Sequence, residues 1–516
     1  MSDAILKIYD KIMLSRLAKW WETDPEQIGG KAGQSCIDHI LTLQILINIA
    51  RTKKSKLFIL FVDFSKAYDR VSRSRLLTLL KETGCGRLLL RAIIMMYKGT
   101  QLLYENVTIL TNTGVKQGSP SSGFLFTFFI NPLIRLFKEL GSDGFLQDLH
   151  CLLMMDDSVI LATSRERFQE NINVLMKFCG DYGITVNEAK TKFMVINHEL
   201  DDRNPIIAGP NLTIKYTEKY IYLGAVITHD GNICTVMKEH AALKNAHYLK
   251  FVAFIKKNSF APFYVKRQVF RACIISTLLY SCEVWFSNCV DRSIIKIYMS
   301  CVKAILGVRD STDNDLCLHE IMMPSVESLI QQTQLKYLRN VIDNPDKHHI
   351  LLKVMGMARN VQLPSGHITK CKAIKYIDRI IEENDNKRMV HDMENRKSRI
   401  ALSTKTKSLI YKEYNPVLAV HDVYITRKYF PEHWRISWTR FRLSSTNLPC
   451  EKNRWTQCRG IELKCVCGEP QTEKHILITC NERINRTANI EDIFQHNDQR
   501  HTMKVIYDTL QKFEVV

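Results

Sequence analysis

The hydrophobic and polar positions of the first 230 residues alternate between strand-like runs and helix-like stripes. Leu57–Val62 is an uninterrupted apolar run, which is typical of a strand buried on both faces. Residues 37–50 predict a helix that faces a core. Serine caps and terminal glycines predict two more helices, from Ser72 or Ser74 to Gly84 and from Ser164 to Gly180 and Gly183.

A pair of adjacent aspartates interrupts the apolar segment CLLMMDDSVILAT, Cys151–Thr163. The flanking segments Cys151–Met155 and Ser158–Ala162 predict two short strands joined as a hairpin. Asp156 and Asp157 then have two interpretations. Aspartate is common in tight turns, so the pair can be an ordinary hairpin tip. Alternatively, the two like charges, each of which raises the pKa of the other, are held together to bind a cation.

Further apolar segments complete the predicted sheet and its cover. GITVNEAKTKFMVIN predicts a strand around Lys190, and Glu218–Thr228 predicts another. Gly123–Phe137 is the most apolar run, but Asn131 and Pro132 interrupt it, which favours a buried helix over a membrane span. The order of elements predicts an α+β fold with a split βαβ antiparallel sheet and helices on one face.

The remainder of the chain is mostly helical and basic. Lys244–Trp285 interleaves Lys and Arg with aromatic residues, residues 340–420 are rich in charge, and residues 430–516 hold a Cys/His cluster. The 72 Lys+Arg residues exceed the 53 Asp+Glu residues, for a net charge of +19. This surplus favours nucleic acid as a partner, although a generally basic protein without a specific partner shows the same balance.

The chain of 516 residues is long enough for about two to four domains. Its sixteen cysteines are scattered, and its start lacks an apolar signal core. These features predict reduced thiols in an intracellular protein of the nucleus or cytoplasm that is not secreted.

A third carboxylate, Asp63, directly follows the apolar run Leu57–Val62. If two strands each deliver an aspartate to one edge of a shared sheet, Asp63 and Asp156 form a site for divalent cations. Hard cations such as Mg²⁺ prefer oxygen ligands. Two such ions about 3.5–4 Å apart activate an attacking hydroxyl and stabilise a leaving pyrophosphate.

Taken together, several segments resemble the reverse transcriptase of non-long-terminal-repeat retrotransposons, especially the jockey-like animal elements. QIGGKAGQSCIDHI, at Gln27–Ile40, resembles the fingers motif Q-x-G-F-R-x-G-R-S-x-x-D, and FVDFSKAYDRV resembles the first catalytic motif. GVKQGSPSSGFLF resembles the nucleotide-pocket motif G-V-x-Q-G-x-x-x-S-P-x-L-F, and MMDD stands where the family has aromatic-Ala-Asp-Asp. GITVNEAKTKFMV and YIYLGAVI match the next two motifs, the second being the primer grip, and LLYSCEVW at Leu278–Trp285 resembles a thumb signature.

The resemblance implies a right-hand polymerase palm. Residues 1–230 are expected to form partial fingers and the palm, residues 231–340 a helical thumb, residues 341–430 a helical linker region and residues 431–516 a small zinc-knuckle region. The chain is expected to begin inside the fingers, without the family's earlier fingers segment and upstream endonuclease domain.

Carried over residue by residue, the resemblance implies catalytic and nucleotide-binding roles. Asp63 and Asp156 are expected to ligate two Mg²⁺ ions, Asp157 to assist them, and Lys190 to donate a proton to the departing pyrophosphate. Nucleotide-binding roles are implied for the carbonyl of Phe64 (which also adds a metal ligand), the backbone of Ser65 and Lys66, the ring of Tyr68, and Gln117, Gly118 and Lys31. Each has an ordinary alternative, such as a core aromatic for Tyr68, a surface lysine for Lys190 or a turn glycine for Gly118.

The sequence also departs from the family pattern. Lys31 and Gln34 replace fingers arginines, and lysine lacks the planar fork that grips a phosphate with two hydrogen bonds. Gly123 replaces the proline of the nucleotide-pocket motif, and the flexible Met154 and Met155 replace the aromatic residue and alanine before the aspartates. These departures suggest a degraded element as an alternative.

A Cys/His cluster follows near the C-terminus, with Cys465, Cys467, His475 and Cys480 in CVCGEPQTEKHILITC. Three thiolates and one imidazole suit tetrahedral Zn²⁺, although the C-x-C spacing is shorter than usual and buried thiols with a capping histidine are the alternative. The segment, with the preceding Arg440–Trp455, resembles the C-terminal knuckle of the same retrotransposons, and Cys458 is a possible substitute ligand.

The leading hypothesis is an RNA-directed DNA polymerase that extends a DNA primer on an RNA template with deoxynucleoside triphosphates, away from membranes. The alternative is a catalytically inactive, retroelement-derived protein that binds nucleic acid. A maturase or telomerase-like polymerase is a third hypothesis, which the C-terminal Cys/His cluster disfavours.

Overall fold

The computed structural model describes residues 4–31, 33–98, 101–104, 107–209, 212–425, 430–451, 464–484 and 499–514. Two compact units make up the chain. The first comprises Met1–Val236, Glu283–Phe286 and Tyr337–Glu382, and the second comprises Met237–Cys282, Ser287–Lys336 and Glu383–Val516. The fold is α+β with more helix than strand. The division at residues 230, 340 and 430 stays a prediction.

The strands of the described residues form one large sheet and three two-stranded ribbons. They are β1 (Leu57–Val62), β2 (Gln101–Tyr104), β3 (Val107–Leu110), β4 (Cys151–Met154), β5 (Asp157–Ala162), β6 (Lys192–Ile196), β7 (Ile206–Gly209), β8 (Leu212–Tyr216), β9 (Lys219–Tyr222), β10 (Ala225–Thr228), β11 (Val361–Gln362) and β12 (Ile368–Thr369). The large sheet has the order β4-β5-β1-β6-β8-β7, and the ribbons are β2–β3, β9–β10 and β11–β12. The large sheet is antiparallel except for the parallel pair β6–β8.

The central strand β1 is buried along its whole length, as its apolar run predicts. On one face, Phe58 packs on Phe168 of the helix after β5, with ring centroids 5.2 Å apart. On the other face, Phe61 stacks on Tyr220 of β9 at 4.2 Å. The central strand is therefore covered on both faces, as an uninterrupted apolar strand requires, with a helix against one face and a strand against the other. The expectation of helices on one face stays a prediction.

Helices make up most of the remaining structure. They are α1 (Ala4–Trp20), α2 (Cys36–Lys53), α3 (Arg73–Glu82), α4 (Arg87–Tyr97), α5 (Ser122–Ile130), α6 (Pro132–Lys138), α7 (Arg165–Tyr182), α8 (Ile233–Lys257), α9 (Phe263–Val269), α10 (Ser276–Leu278), α11 (Arg292–Leu306), α12 (Asn314–Glu320), α13 (Val326–Asp343), α14 (His349–Arg359), α15 (Lys372–Glu383), α16 (Arg388–Leu402), α17 (Thr406–Tyr414), α18 (Glu432–Arg442) and α19 (Gln499–Glu514). Segments Phe270–Ile275 and His475–Thr479 are π-helical.

The predicted helix starts are confirmed by their caps. Ser72 accepts a hydrogen bond from the N–H of Arg75 at the start of α3, and Ser164 accepts one from Arg167 at the start of α7. Gly183, with φ 68°, caps the end of α7 in the left-handed conformation, whereas Gly180 lies inside the helix.

Three element predictions are wrong in detail. The apolar run Gly123–Phe137 forms two helices, because Pro132 lacks the N–H that would continue α5 and instead begins α6. Glu218–Thr228 forms the ribbon β9–β10 around Leu223 and Gly224, both with positive φ, and not one strand. The strand predicted around Lys190 begins at Lys192, so Lys190 lies in the preceding turn.

Helix α18 contributes Glu432, Arg435 and Arg442 to the charged groups buried inside the second unit. Glu320 pairs with Arg442 at 2.7 Å, and Glu432 pairs with Arg435 at 2.7 Å and Lys266 at 2.9 Å. Each buried charge thus has an opposite partner, as desolvated ions require.

Within the part of the chain that the structure describes, the cysteines form no disulfide. No helix among these residues has the length and apolar character needed to cross a membrane.

Candidate functional site

The register of the large sheet brings Asp63 and the Asp156–Asp157 pair to the same end of neighbouring strands. Val62 of β1 is paired with Ser158 of the antiparallel β5, so the next residue, Asp63, lies beside Asp157. Asp156 lies in the tight turn between β4 and β5, where Met154 is paired with Asp157. The structure therefore brings the three carboxylates together from two distant parts of the sequence.

The three carboxylates create a negative field at this end of the sheet. Partial burial and then the charges of Asp156 and Asp63 raise the pKa of Asp157, while Lys190 opposes the rise. Burial, Asp63 and Asp157 also raise the pKa of Tyr220 to about 12. A bound cation relieves such a field, so the donor set fits hard divalent ions with oxygen ligands.

The turn after α7 fixes Asp63 and carries Lys190. The N–H of Asp63 donates to Oγ1 of Thr191 at 3.2 Å, and its carbonyl accepts from the N–H of Asn187 at 2.8 Å. The ammonium of Lys190 lies 3.5 Å from Oδ1 of Asp63, while 67% of the Lys190 side chain stays exposed. Lys190 thus contacts the carboxylates and remains accessible to a ligand.

Backbone hydrogen bonds also hold the residues that follow Asp63. Phe64 forms an isolated antiparallel bridge with Val186, and the N–H of Ser65 donates to the carbonyl of Thr185 at 2.8 Å. Lys66 has a left-handed φ of 51°, which turns the chain sharply. The backbone of Phe64–Lys66 is therefore fixed next to the carboxylates.

Tyr68 places its ring between the carboxylates and the core. The ring stacks on Phe126 with centroids 4.5 Å apart, and the carbonyl of Tyr68 accepts from the N–H of Val115 at 2.9 Å. Burial and the charge of Asp156 raise the pKa of the Tyr68 hydroxyl. The ring is half-buried, so one part packs in the core and another stays accessible.

The loop before α5 presents Gln117 and Gly118, both exposed. The amide of Gln117 donates to Oδ1 of Asp69 at 3.1 Å, and Gly118 has a φ of 77°, which favours glycine. The buried Asp10 of α1 anchors the loop, because its carboxylate accepts from the N–H of Ser121 at 3.2 Å and also binds the hydroxyl of Ser119.

Lys31 occupies a different environment. Its ammonium donates to the carbonyls of Thr23 at 3.0 Å and Asp24 at 3.3 Å. Burial lowers the pKa of Lys31, and nearby acidic side chains oppose this effect. The side chain lines a cavity of about 800 Å³ together with Gln34 and Pro345–Lys353. The structure thus engages Lys31 with backbone carbonyls of this cavity and not with the three carboxylates.

Three further residues, Asp10, Tyr220 and Gln27, belong to the site although no role was expected for them. Asp10 interrupts the buried stripe of α1 that continues at Met13 and Leu17, and a charged residue on a buried stripe is the signal that points to it. Tyr220 and Gln27 begin the quoted motifs YIYLGAVI and QIGGKAGQSCIDHI, but neither motif indicates what these two side chains contact.

The four residues of the Cys/His cluster lie together in the second unit. The Cys465, Cys467 and Cys480 sulfurs and a His475 nitrogen all lie within 4.8 Å of one another. Sγ of Cys467 is 3.1 Å from Nε2 of His475, and Sγ of Cys465 is 3.5 Å from Sγ of Cys480. The cluster can therefore bind a metal ion.

The backbone around the cluster suits a metal knuckle. Gly468, with φ 90°, turns the chain after Cys467, and its N–H donates to the carbonyl of Cys465 at 2.8 Å. Nδ1 of His475 lies 3.0 Å from the hydroxyl oxygen of Thr479, which orients Nε2 toward the sulfurs. Cys458 lies outside the described residues.

The chain is similar to known proteins in its first part. Residues 2–227 match the family described as reverse transcriptase (RNA-dependent DNA polymerase). The Pol polyprotein of the type-1 retrotransposable element R2 from Bradysia coprophila is 24% identical over 243 residues, covering 44% of this chain and 28% of the relative. The putative 115 kDa protein of element R1DM from Drosophila melanogaster is 22% identical over 318 residues, covering 58% and 29%.

The structure of apo telomerase from Candida tropicalis covers 79% of this chain and 59% of its own at 12% identity, with a TM-score of 0.32.

The chain spans about a quarter of the length of the curated relatives it matches. These relatives are proteins of R2 and R1 elements, so the jockey-like subtype stays a prediction. Residues 2–227 form a reverse transcriptase domain, similar to those of R2 and R1 non-long-terminal-repeat retrotransposons.

Proposed function

We propose that the chain is an RNA-directed DNA polymerase that extends a DNA primer on an RNA template. The primer 3′-hydroxyl attacks the α-phosphate of a deoxynucleoside triphosphate and pyrophosphate leaves. The observation that carries the proposal is the meeting of Asp63, Asp156 and Asp157 at one end of β1 and β5 within the reverse transcriptase domain.

Each residue around the carboxylates then has a role. Asp63 and Asp156 would hold two Mg²⁺ ions, which supply the charge that stabilises the attacking and leaving oxygens. Burial and then the charges of Asp156 and Asp63 raise the pKa of Asp157, and the second cause supports this assignment because two cations would neutralise those charges. Lys190, in contact with Asp63, would donate a proton to the leaving pyrophosphate.

Nucleotide binding is assigned to the fixed backbone and rings beside the metals. The carbonyl of Phe64 would add a metal ligand, and the N–H of Lys66 would hold a triphosphate oxygen. The N–H of Ser65 already donates to the carbonyl of Thr185 at 2.8 Å, so Ser65 would contribute by fixing this backbone. The stacked ring of Tyr68 would lie under the sugar and exclude a 2′-hydroxyl. The exposed loop residues Gln117 and Gly118 would contact the nucleotide and template. A nucleotide-binding role for Lys31 has less support, because backbone carbonyls already bind its ammonium.

The parts of a right-hand polymerase are assigned by order along the chain. Residues 1–230 would supply partial fingers and the palm, residues 231–340 the thumb and residues 341–430 a helical linker region. The exposed lysines Lys250, Lys256 and Lys257 of α8 support a thumb that follows the template–primer backbone, and such binding weakens as salt rises. An intracellular site of action, in the nucleus or cytoplasm, belongs to the same proposal.

The C-terminal cluster of residues 431–516 would bind one Zn²⁺ through Cys465, Cys467, His475 and Cys480. Zinc bonds of about 2.0–2.3 Å place the ligand atoms of a tetrahedral site roughly 3.3–3.8 Å apart. The 3.5 Å separation of the Cys465 and Cys480 sulfurs lies in this range, whereas Sγ of Cys467 lies just outside it, 3.1 Å from Nε2 of His475 and 4.0 Å from Sγ of Cys480. Small side-chain shifts would therefore complete the site. The knuckle would stabilise its region and contact template RNA or target DNA.

Primer extension tests the proposal. The full chain is incubated with a poly-A template, an oligo-dT primer, dTTP and Mg²⁺, beside the Asp156→Ala variant. We expect extension by the wild-type chain and none above background by the variant, with template–primer binding retained by both. Equal extension by both chains, or binding without extension by the wild type, would overturn the proposal, and the second result supports the inactive nucleic-acid-binding alternative.

A further inference from the structure

The turn that carries Asp156 is unusual because Met155 adopts a left-handed conformation with φ 57°. This region favours glycine and is unfavourable for a residue with a side chain. Surrounding contacts must therefore hold Met155, and through it Asp156, in place.

The side-chain amide of Gln27 supplies such contacts from both sides of Met155. Its Oε1 accepts from the N–H of Met155 at 3.0 Å, and its Nε2 donates to the carbonyl of Met155 at 3.3 Å. Oε1 also accepts from the N–H of Gly29 at 2.8 Å. Gln27 is fully buried and lies beside β4, where the N–H of Ile28 donates to the carbonyl of Leu153 at 3.1 Å.

Three glycines leave room for this arrangement. A Cβ on Gly29 would lie 2.6 Å from the backbone nitrogen of Met155 and 2.7 Å from Oε1 of Gln27, so no side chain fits there. A Cβ on Gly30 or Gly123 would lie 3.3 Å or 3.5 Å from the terminal methyl of Met155. The Met155 side chain thus packs against glycines while its backbone is bound by Gln27.

We propose that Gln27 is a positioning residue for polymerisation: its amide, which we name the Gln27 clamp, holds Met155 left-handed and thereby sets Asp156 for metal binding. The inference rests on the proposed function, but the clamp itself exists independently of turnover. It acts through Met155 and does not touch the substrate.

Amide hydrogen exchange of the full chain measures the clamp without any activity. Gln27→Met keeps the size of the side chain and removes both hydrogen bonds to Met155. Gln44→Met is a matched control, since Gln44 is also fully buried in the first unit and its amide has no hydrogen-bond partner among the described residues. We expect exchange at Met155 to rise roughly tenfold in Gln27→Met and to stay unchanged in Gln44→Met, as loss of two modest hydrogen bonds predicts.

Primer extension then tests the link to catalysis. Gln27→Met should require more Mg²⁺ for half-maximal rate, whereas KM for dTTP should change little. Met155→Gly and Met155→Ala separate the clamp from packing, because both remove the methionine side chain beyond Cβ but only glycine, which has no Cβ, accepts the left-handed conformation freely. Gln27→Met should therefore cost several-fold less rate in the Met155→Gly background than in the Met155→Ala background.

The outcomes are distinguishable. Unchanged exchange in Gln27→Met, or equal rate losses in the two Met155 backgrounds, would overturn the clamp. A wild-type chain that does not extend primers would overturn the proposed function, and the exchange result would still decide whether the clamp exists.

Discussion

Replacement of Lys190 by methionine tests whether this residue is a proton donor or only an ion-pair partner of Asp63. Both roles are compatible with the 3.5 Å contact between its ammonium and Oδ1 of Asp63. Methionine has a similar length and no charge, so the variant removes the proton and the ion pair together. The two roles affect different kinetic parameters, because one acts in the transition state and the other on metal binding.

The exposure of Lys190 limits the energy of its ion pair. With 67% of the side chain exposed, solvent screens the contact, and such pairs contribute at most about 1 kcal/mol. Loss of this competing cation should thus tighten Mg²⁺ binding by no more than about fivefold. Loss of a positioned general acid instead lowers kcat by roughly 10²–10⁴-fold. An ion-pair role alone therefore predicts slightly tighter Mg²⁺ binding, whereas a proton-donor role predicts a large loss of kcat.

The assay is single-nucleotide extension with kcat, KM and the Mg²⁺ dependence measured for each variant. We expect Lys190→Met to lose at least about a hundredfold in kcat, with Lys190→Arg recovering part of it and slightly tighter Mg²⁺ binding in the methionine variant. Lys177→Met, at an exposed position on α7, controls for the loss of one positive charge. A kcat within threefold of wild type, as an ion pair alone predicts, would refute the proton-donor role.

Three further predictions concern neighbouring groups. Asp157→Asn should raise the melting temperature of the metal-free chain at neutral pH, because the fold raises the pKa of this carboxyl above its ordinary 3.8 and its charge therefore destabilises the fold. The gain in melting temperature should fade as the pH falls toward 3.8, where the wild-type carboxyl becomes neutral. A gain that does not change with pH would contradict this cause. Cys467→Ser should release bound zinc more readily, measured with a colorimetric chelator, whereas Cys289→Ser, at an exposed cysteine outside the cluster, should not. Tyr68→Ala should improve ribonucleotide incorporation relative to deoxynucleotide incorporation roughly tenfold, with Tyr68→Phe unchanged, and equal ratios would show that the ring does not select the sugar.

The sequence predicted those parts of the fold that depend on local chemistry. An apolar run of six residues became β1 with the predicted bounds, and the serine caps of α3 and α7 lie where short polar side chains precede apolar stripes. It did not predict that Gly123–Phe137 divides at Pro132, or that Glu218–Thr228 folds back on itself. In these cases one residue or one turn outweighs an apolar pattern that extends across both parts.

The carboxylates and the Cys/His cluster could be proposed from the sequence. Several aspartates, or several cysteines with a histidine, at motif-like spacing indicate metal binding more often than a purely structural role. Contacts with the backbone of a distant residue leave no comparable signal. Gln27 reaches Met155 across 128 positions, and Asp10 reaches Ser121 across 111. The environment of Lys31 was likewise hidden, because the carbonyls that bind it belong to residues without distinctive side chains.

The departures from the family pattern near the carboxylates fit one another in space. Met155 is larger than the alanine of the motif, while Gly30 and Gly123 are smaller than the phenylalanine and proline at their places. Added Cβ atoms at these two glycines would lie within 3.5 Å of the methyl group of Met155, so the extra volume of methionine lies where the glycines have removed volume. Unrelated losses scattered through a decaying sequence have no reason to complement each other in this way. The packing therefore favours compensating substitutions that keep the turn holding Asp156 over unrelated substitutions in a turn that is no longer functional.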